Sequence, residues 1–191
     1  NTTMLSAESG YGDRFFYLLL DDTDIVTGRH LTKIPKAVEE VCQSLDYTPS
    51  AVMICITCVD ALLGTDMDRV CRKSSDRAGV PVVPCYMYAL TREKRLPPMA
   101  SVRKSVYSLL KPRKRKSDEV NILGYFSPLQ EDCELYSLLK SAGVKTIREL
   151  SRCDTFEEYE KMSQANFSLV LNAEARYAAQ QMEQELNIPF I

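Results

Sequence analysis

The sequence contains no tryptophan and a single histidine, His30. One histidine leaves no Ser-His-Asp or Cys-His catalytic set that could be assembled. Cys55 and Cys58 form a CxxC pair, but no second CxxC and no nearby histidine completes the four ligands that a zinc site needs. These absences argue against both kinds of site, and we expect His30 to lie at the surface or to cap a helix.

Glycine-rich loops, long apolar runs and an excess of basic charge are also missing. No glycine-rich phosphate loop of either standard spacing follows a predicted strand, which argues against a nucleotide enzyme. No apolar run approaches the roughly 20 residues of a membrane helix, and the first residues lack the basic and apolar regions of a signal peptide. The net charge is −2, so we expect no nucleic acid and no membrane as partners.

Cysteine usage indicates the compartment. The seven cysteines are an odd number and lie mostly in apolar or helical surroundings, unlike the framework of a secreted disulfide scaffold. We therefore predict reduced thiols and a cytoplasmic location. The chain starts with Asn1 and ends with Ile191, and we interpret it as a fragment of a longer protein.

Short apolar runs rich in β-branched residues alternate with amphipathic helices along the chain. This alternation is typical of parallel strands with crossover helices, and it predicts the α/β class. We expect two consecutive Rossmann-like units, each with a parallel sheet flanked by helices, over residues 1–116 and 117–191. The basic run at residues 111–117 separates them, and we favour a solvated, extended linker there over a nucleic-acid or targeting patch.

Apolar spacing and capping signals place the individual elements. Asp66 is expected to cap a helix that Gly79 closes, and Thr155 begins a capping box. Residues 51–56 are apolar without alternation, as in a central strand covered on both faces, and residues 15–20 resemble a strand that Asp21 interrupts. The expected helices cover residues 31–45, 67–77, 102–110 and 133–141, a segment that starts at 155, and a last segment that ends at 186. The other expected strands cover residues 80–85, 120–126, 144–147, 168–171 and 188–191.

Cys58 is the residue most suggestive of chemistry. Ligand sites of open parallel sheets lie beyond the carboxyl ends of the strands, and Cys58 follows the strand at residues 51–56. Its thiolate could ligate a soft metal, and the N-terminus of a following helix would lower its pKa. Cys85 ends the next strand and is a weaker candidate for a second metal ligand. We expect Cys55 to point into the strand layer, and three cysteines are expected in the core by default: Cys42, Cys71 and Cys133.

The motifs around Cys58 resemble a known family. Asp22-Thr-Asp-Ile-Val-Thr-Gly28 precedes a helix, and Ile56-Thr-Cys58-Val is followed by Leu63-Gly64-Thr-Asp66. Together with Val120-Asn-Ile-Leu-Gly124, these segments resemble the nitrogenase component-one family, which includes nitrogenase MoFe-protein subunits, their cofactor-assembly scaffolds and dark-operative protochlorophyllide reductase subunits. The resemblance covers nearly the whole chain, as part of the family's first domain and its middle domain.

This resemblance implies a metal-binding role. By it Cys58 would ligate an iron–sulfur cluster shared with a homologous partner subunit, Gly64 would make the turn, and Asp66 would cap the helix behind it. It implies an oxidoreductase subunit that takes electrons from an ATP-dependent iron–sulfur reductase and passes them to a substrate or cofactor. The family's other cluster cysteine would precede Asn1 and its third domain is missing, so we expect the fragment alone to be inactive. Arg29 stands where the family often has a second glycine.

Two other functions remain open at this point. The first is a scaffold that assembles a metal cofactor and reduces no substrate. The second is a non-catalytic ligand-binding module that keeps the fold and binds no metal. The sequence does not separate them.

Overall fold

The computed structural model describes residues 10, 12–56, 58, 63–87 and 96–191. These residues belong to two compact units, one within Asn1–Ile54 and Asp66–Val83 and the other within Cys55–Thr65 and Pro84–Ile191. Helices flank the sheets, and the predicted α/β class is confirmed. The expected domain boundary between residues 116 and 117 stays a prediction.

Helices make up most of the first unit. They are α1 (Asp22–Val26), α2 (His30–Ser44) and α3 (Met67–Ala78). The helix expected at residues 31–45 is therefore α2, and the helix expected at 67–77 is α3. Their apolar faces meet over a core of Val38, Cys71 and Val82. Asp66 caps α3 as predicted, and Gly79 ends it in the left-handed conformation (φ 71°), which glycine adopts without a Cβ clash.

The two-stranded sheet pairs β1 (Val52–Ile56) with β2 (Val82–Tyr86). Val52 and Ile54 pack against the core between α2 and α3. Met53 and Cys55, which alternate with them, are exposed. The expectation that this strand is covered on both faces is therefore wrong for the described structure, because alternate side chains of a strand point to opposite faces.

Residues 15–20 belong to no strand, which corrects the expectation for this segment. The chain instead starts a helix directly afterwards. Asp21 and Asp24 form a reciprocal capping box: the Asp21 Oδ1 accepts from the Asp24 N–H at 2.7 Å, and the Asp24 Oδ2 accepts from the Asp21 N–H at 3.2 Å. The aspartates thus fix the start of α1, and the apolar side chains before them stay partly to largely exposed.

His30 is buried at the start of α2, which overturns the surface position, one of the two that were expected for it. Its Nδ1 donates to the backbone carbonyl oxygen of Asp24 at 3.2 Å. The carboxylate of Asp24 is also fully buried, and it pairs with Arg29 at 3.3 Å and with Lys33. The hydrogen bond from Lys33 keeps the pKa of Asp24 below its usual value. A buried charge needs such partners, and this group of side chains joins α1 to α2.

The second unit contains a parallel sheet in the order β4-β3-β5. Its strands are β3 (Glu119–Leu123), β4 (Thr146–Glu149) and β5 (Phe167–Val170), which confirms three of the strands expected there. All five residues of β3 are buried, as expected for a central strand. The fourth expected strand, at residues 188–191, is only a single parallel bridge between Phe190 and Ser168.

Helices pack on this sheet around one apolar core. They are α4 (Pro98–Tyr107), α6 (Phe156–Glu160) and α7 (Arg176–Leu186), whereas α5 (Glu134–Ser141) has no buried residue and contributes none to this core. The Thr155 hydroxyl accepts from the Glu158 N–H at 3.2 Å and so caps α6, as predicted. The core includes Tyr107, Leu123, Tyr159, Met162, Ala178, Ala179, Met182 and Ile188. None of the described helices combines the length and the apolar character that a membrane span requires.

The basic run at residues 111–117 belongs to the second unit, and all of its residues are exposed and lie outside helices and strands. Arg113 pairs with Glu160 at 2.7 Å. Arg115 donates to the backbone carbonyl oxygen of Asn187 at 3.1 Å, and Lys116 pairs with Glu119 at 2.8 Å. The run is therefore solvated, as expected, and acceptors of the second unit pair with some of its cations.

Candidate functional site

Cys58 lies two residues beyond the end of β1, and its side chain is exposed. Gly64 has φ 62° and makes a turn, as predicted from the sequence. The Asp66 Oδ1 accepts from the Arg69 N–H at 3.0 Å at the start of α3. The turn and the cap are thus present. The role of Cys58 as a metal ligand stays a prediction, and the accessible sulfur that such a role needs is there.

Cys55 and Cys85 interact across the pair of strands β1 and β2. Cys55 is exposed, and the expectation that it is a core residue is wrong, since Ile54 and Ile56 take the covered positions of β1. Cys85 is only 4% exposed. A hydrogen bond joins the two sulfurs, so the contact that the structure shows for Cys85 is with Cys55.

This hydrogen bond sets the charge of the two sulfurs. Donation from the Cys85 thiol lowers the pKa of Cys55 to about 6, although burial acts in the opposite direction. The same bond, together with burial, raises the pKa of Cys85. Water can stabilise a negative charge on the exposed sulfur but not on the buried one. Cys55 is therefore the more acidic of the two sulfurs, and Cys85 is the less acidic.

The remaining cysteines lie in apolar or half-buried positions. Burial raises the pKa of Cys71 to about 12, which makes it an inert core thiol, as expected. Cys42 is half-buried against the same core, and Cys133 is half-buried directly before α5. Cys153, which the sequence did not single out, donates to the backbone carbonyl oxygen of Glu149 at 3.3 Å.

An iron–sulfur cluster takes about four thiolate ligands. Within residues 10, 12–56, 58, 63–87 and 96–191, no three or more His, Cys, Asp or Glu side chains come together in a way that could hold a metal ion. A cluster would therefore fit here only if Cys58 supplied one ligand and other parts of the protein supplied the rest. An exposed thiol beyond a strand end suits this partial role, since soft sulfur is the ligand that iron–sulfur clusters require.

Arg103 is a residue of the second unit that sequence reasoning missed. It lies in α4, its side chain is 7% exposed, and its guanidinium pairs with Glu174 at 3.0 Å. It also donates to the carbonyl oxygen of Gly124, directly after β3, and lies 4.7 Å from the centroid of the Phe126 ring. It thus secures the carboxyl end of the central strand, where ligands bind in such sheets. The sequence offered no signal, because an arginine in an amphipathic helix normally faces solvent.

Comparison with known proteins gives a consistent result. The sequence profile of the family described as nitrogenase component 1 type oxidoreductase matches residues 2–191. The iron-molybdenum cofactor biosynthesis protein NifE of Rhizobium meliloti is 34% identical over 125 residues, 64% of this chain. NifE of Nostoc sp. is 27% identical over 90% of this chain, and the nitrogenase molybdenum-iron protein alpha chain of Methanosarcina barkeri is 28% identical over 97% of it.

Solved structures show the same fold. Those titled nitrogenase Cp1 at pH 6.5 and at pH 5 each match 90% of this chain, with TM-scores of 0.65 and 0.67 and identities of 22% and 23%. The chain spans 26% of the Rhizobium relative, 36% of the Nostoc relative and 36% of the Methanosarcina relative. It therefore corresponds to about a third or less of the length of these proteins.

Proposed function

Because the chain belongs to the nitrogenase component 1 type oxidoreductases, we propose that it is part of a nitrogenase-like subunit in which Cys58 ligates an iron–sulfur cluster. The other ligands come from the rest of the protein and from a homologous partner subunit. When bound, such a cluster supplies one-electron transfer, here from an ATP-dependent iron–sulfur reductase towards a substrate or cofactor. A cytoplasmic location agrees with the reduced thiols of the described residues.

The exposure of the Cys58 sulfur is the observation that carries this proposal. A thiol can reach a ligand from outside its own chain only if its sulfur is accessible. Cys71, in contrast, is enclosed in the core of its unit and holds its proton. Gly64 contributes the turn that follows, and Asp66 contributes the cap that starts α3. These residues position the chain and move no proton.

Iron content tests the proposal. We would express the full-length protein anaerobically with its homologous partner and compare the wild type with Cys58→Ala and with Cys133→Ala as the matched control. We expect Cys58→Ala to lose iron and the brown absorption, and Cys133→Ala to keep both. Circular dichroism and partner association check that each variant is folded. Unchanged iron in a folded Cys58→Ala protein would contradict the ligand role.

A scaffold for cofactor assembly is the second candidate function, and the likeness to two NifE proteins favours it. Those relatives are named for iron-molybdenum cofactor biosynthesis. Both functions need a metal-binding subunit, so iron content does not separate them. Reductase-dependent substrate turnover by the complete complex is expected for the electron relay, whereas release of a metal cofactor to an apo-acceptor without turnover is expected for the scaffold.

A non-catalytic module of the same fold is the third possibility that the sequence left open. It predicts no iron in the anaerobically purified wild-type complex. Iron that is lost on Cys58→Ala would exclude it.

A further inference from the structure

We propose that Cys55 and Cys85 form a dithiol that hydroperoxides oxidise to an intramolecular disulfide, with Cys55 as the attacking sulfur and Cys85 as the resolving sulfur. Neither sulfur has a part in the proposed cluster ligation by Cys58. The dithiol is therefore a second, independent reactive site of this chain.

The positions of the two cysteines favour a bond between them. They lie on β1 and β2, which are neighbours in one sheet, and each is the fourth residue of its strand. The Val52 N–H donates to the carbonyl oxygen of Pro81 at 2.8 Å, so the two strands start beside each other and Cys55 lies next to Cys85. Neighbouring strands lie about 4.7–4.9 Å apart. Disulfides join Cα atoms that are about 4.4–6.8 Å apart. The bond can therefore form without separating the strands.

Accessibility assigns the two roles. Cys55 is exposed, so a small oxidant in solvent reaches its sulfur first, whereas Cys85 is buried. The lowered pKa of Cys55 and the raised pKa of Cys85 agree with these two roles. An accessible thiolate beside a second, protonated thiol is the arrangement found at oxidation-sensitive cysteines.

The chemistry proceeds in two steps. The Cys55 thiolate attacks one oxygen of hydrogen peroxide, an S–O bond forms, the O–O bond breaks, and hydroxide leaves and takes a proton from solvent. The sulfur is oxidised by two electrons to a sulfenic acid, and the peroxide is reduced. The Cys85 sulfur then attacks the Cys55 sulfur, the S–O bond breaks, and the hydroxyl leaves as water with the Cys85 proton. In sum, two thiols and one peroxide give one disulfide and two waters.

Peptide mapping tests the proposal on the full chain. The reduced chain is treated with one equivalent of hydrogen peroxide under anaerobic conditions, unfolded, alkylated and digested with trypsin. Cys85 lies in the peptide of residues 78–92, and Cys55 lies in the peptide of residues 37–69 together with Cys42 and Cys58. We expect these two peptides to be joined in the wild type and in Cys58→Ser, and to be separate in Cys55→Ser.

A trapping experiment tests the order of the steps. In Cys85→Ser the sulfenic acid has no resolving thiol, so dimedone is expected to label Cys55 in this variant and to label it at least about tenfold less in the wild type. The wild-type peptide map needs no substitution, so a folding defect in Cys85→Ser leaves the main test intact. A Cys55–Cys58 link within one peptide, or a Cys85 that is still alkylated after Cys55 is oxidised, would overturn the proposal.

Discussion

The guanidinium of Arg103 donates two hydrogen bonds to one backbone oxygen, that of Gly124, at 3.0 and 2.8 Å. Gly124 follows β3 directly and lies against Leu171 and Asn172, in the segment after β5. A Cβ on Gly124 would lie only 3.2 Å from the Cβ of Leu171. Gly124 has no side chain that could hold it in place, and Arg103 of α4 holds its backbone carbonyl instead.

Removal of Arg103 is therefore expected to be costly. Arg103→Ala takes two charge-assisted donors from the Gly124 carbonyl and leaves a cavity, and we expect the free energy of unfolding to fall by about 3 kcal/mol. Arg113→Ala is the control, since Arg113 and its partner Glu160 are partly exposed and such pairs contribute at most about 1 kcal/mol. Urea unfolding of both variants measures this. Equal losses would mean that Arg103 does not secure β3.

Glu119 predicts a pH dependence of stability. Burial would raise its pKa, but hydrogen bonds from Lys116 and Arg148 outweigh burial and lower it. A carboxyl whose pKa is lower in the folded state stabilises the fold above its unfolded pKa of about 4.3, and this contribution is lost as the pH falls through the folded value. We expect the wild type to exceed Glu119→Gln in free energy of unfolding at pH 7.

This difference should shrink as the pH is lowered from 7 towards 3, because the unfolded chain protonates Glu119 first and the folded protein follows once the pH falls through its lowered pKa. Urea unfolding at pH 7, 5, 4 and 3 gives the comparison. A difference that stays constant over this range would show that Glu119 acts through shape alone and that its charge has no effect on stability.

Elements with local signals could be predicted from the sequence. The apolar spacing that predicted α2 lies within that helix. Asp66 and Gly79, which predicted the start and the end of α3, adjoin that helix directly. The family resemblance, carried by the motif around Cys58, is confirmed by the match over residues 2–191. Such features depend on a short stretch of sequence, which is why they could be read without the fold.

Features that depend on distant contacts could not be predicted. The apolar run of β1 indicated a strand covered on both faces. Whether the face that carries Cys55 is covered depends on which distant residues pack on the sheet, and Cys55 is exposed. The hydrogen bond between Cys55 and Cys85 joins residues 30 positions apart, and that between Arg103 and Gly124 joins residues 21 apart. The ion pair of Arg113 in the basic run could not be predicted either, because its partner Glu160 lies 47 positions away.

The two left-handed helix ends, at Gly79 and Asn187, predict substitution effects of different size. Gly79 has φ 71° and no atom within 4 Å of an added Cβ, so Gly79→Ala changes only backbone strain. We expect it to cost about 1 kcal/mol, since alanine is disfavoured at positive φ. Asn187 has φ 56°, and Asn187→Gly is expected to change stability by less than about 0.5 kcal/mol. Thermal unfolding of both variants checks the contrast, and similar losses would contradict it.

The acidity of Cys55 gives a prediction that can be measured without any oxidant. Alkylation by iodoacetamide needs the thiolate, and the hydrogen bond from Cys85 lowers the pKa of Cys55 to about 6. The alkylation rate at Cys55, followed by mass spectrometry, should therefore rise with pH and reach half of its plateau near pH 6. In Cys85→Ala the donor is gone, and the midpoint should move up towards the ordinary cysteine value of about 8.5.

The midpoint is the quantity to compare, because a thiolate of lower pKa is also a weaker nucleophile and the rate at a single pH mixes the two effects. Cys133→Ala removes a half-buried thiol that precedes α5, and it should leave the Cys55 midpoint unchanged. A wild-type midpoint above about pH 8, or a midpoint that does not respond to Cys85→Ala, would show that the buried thiol does not stabilise the Cys55 thiolate.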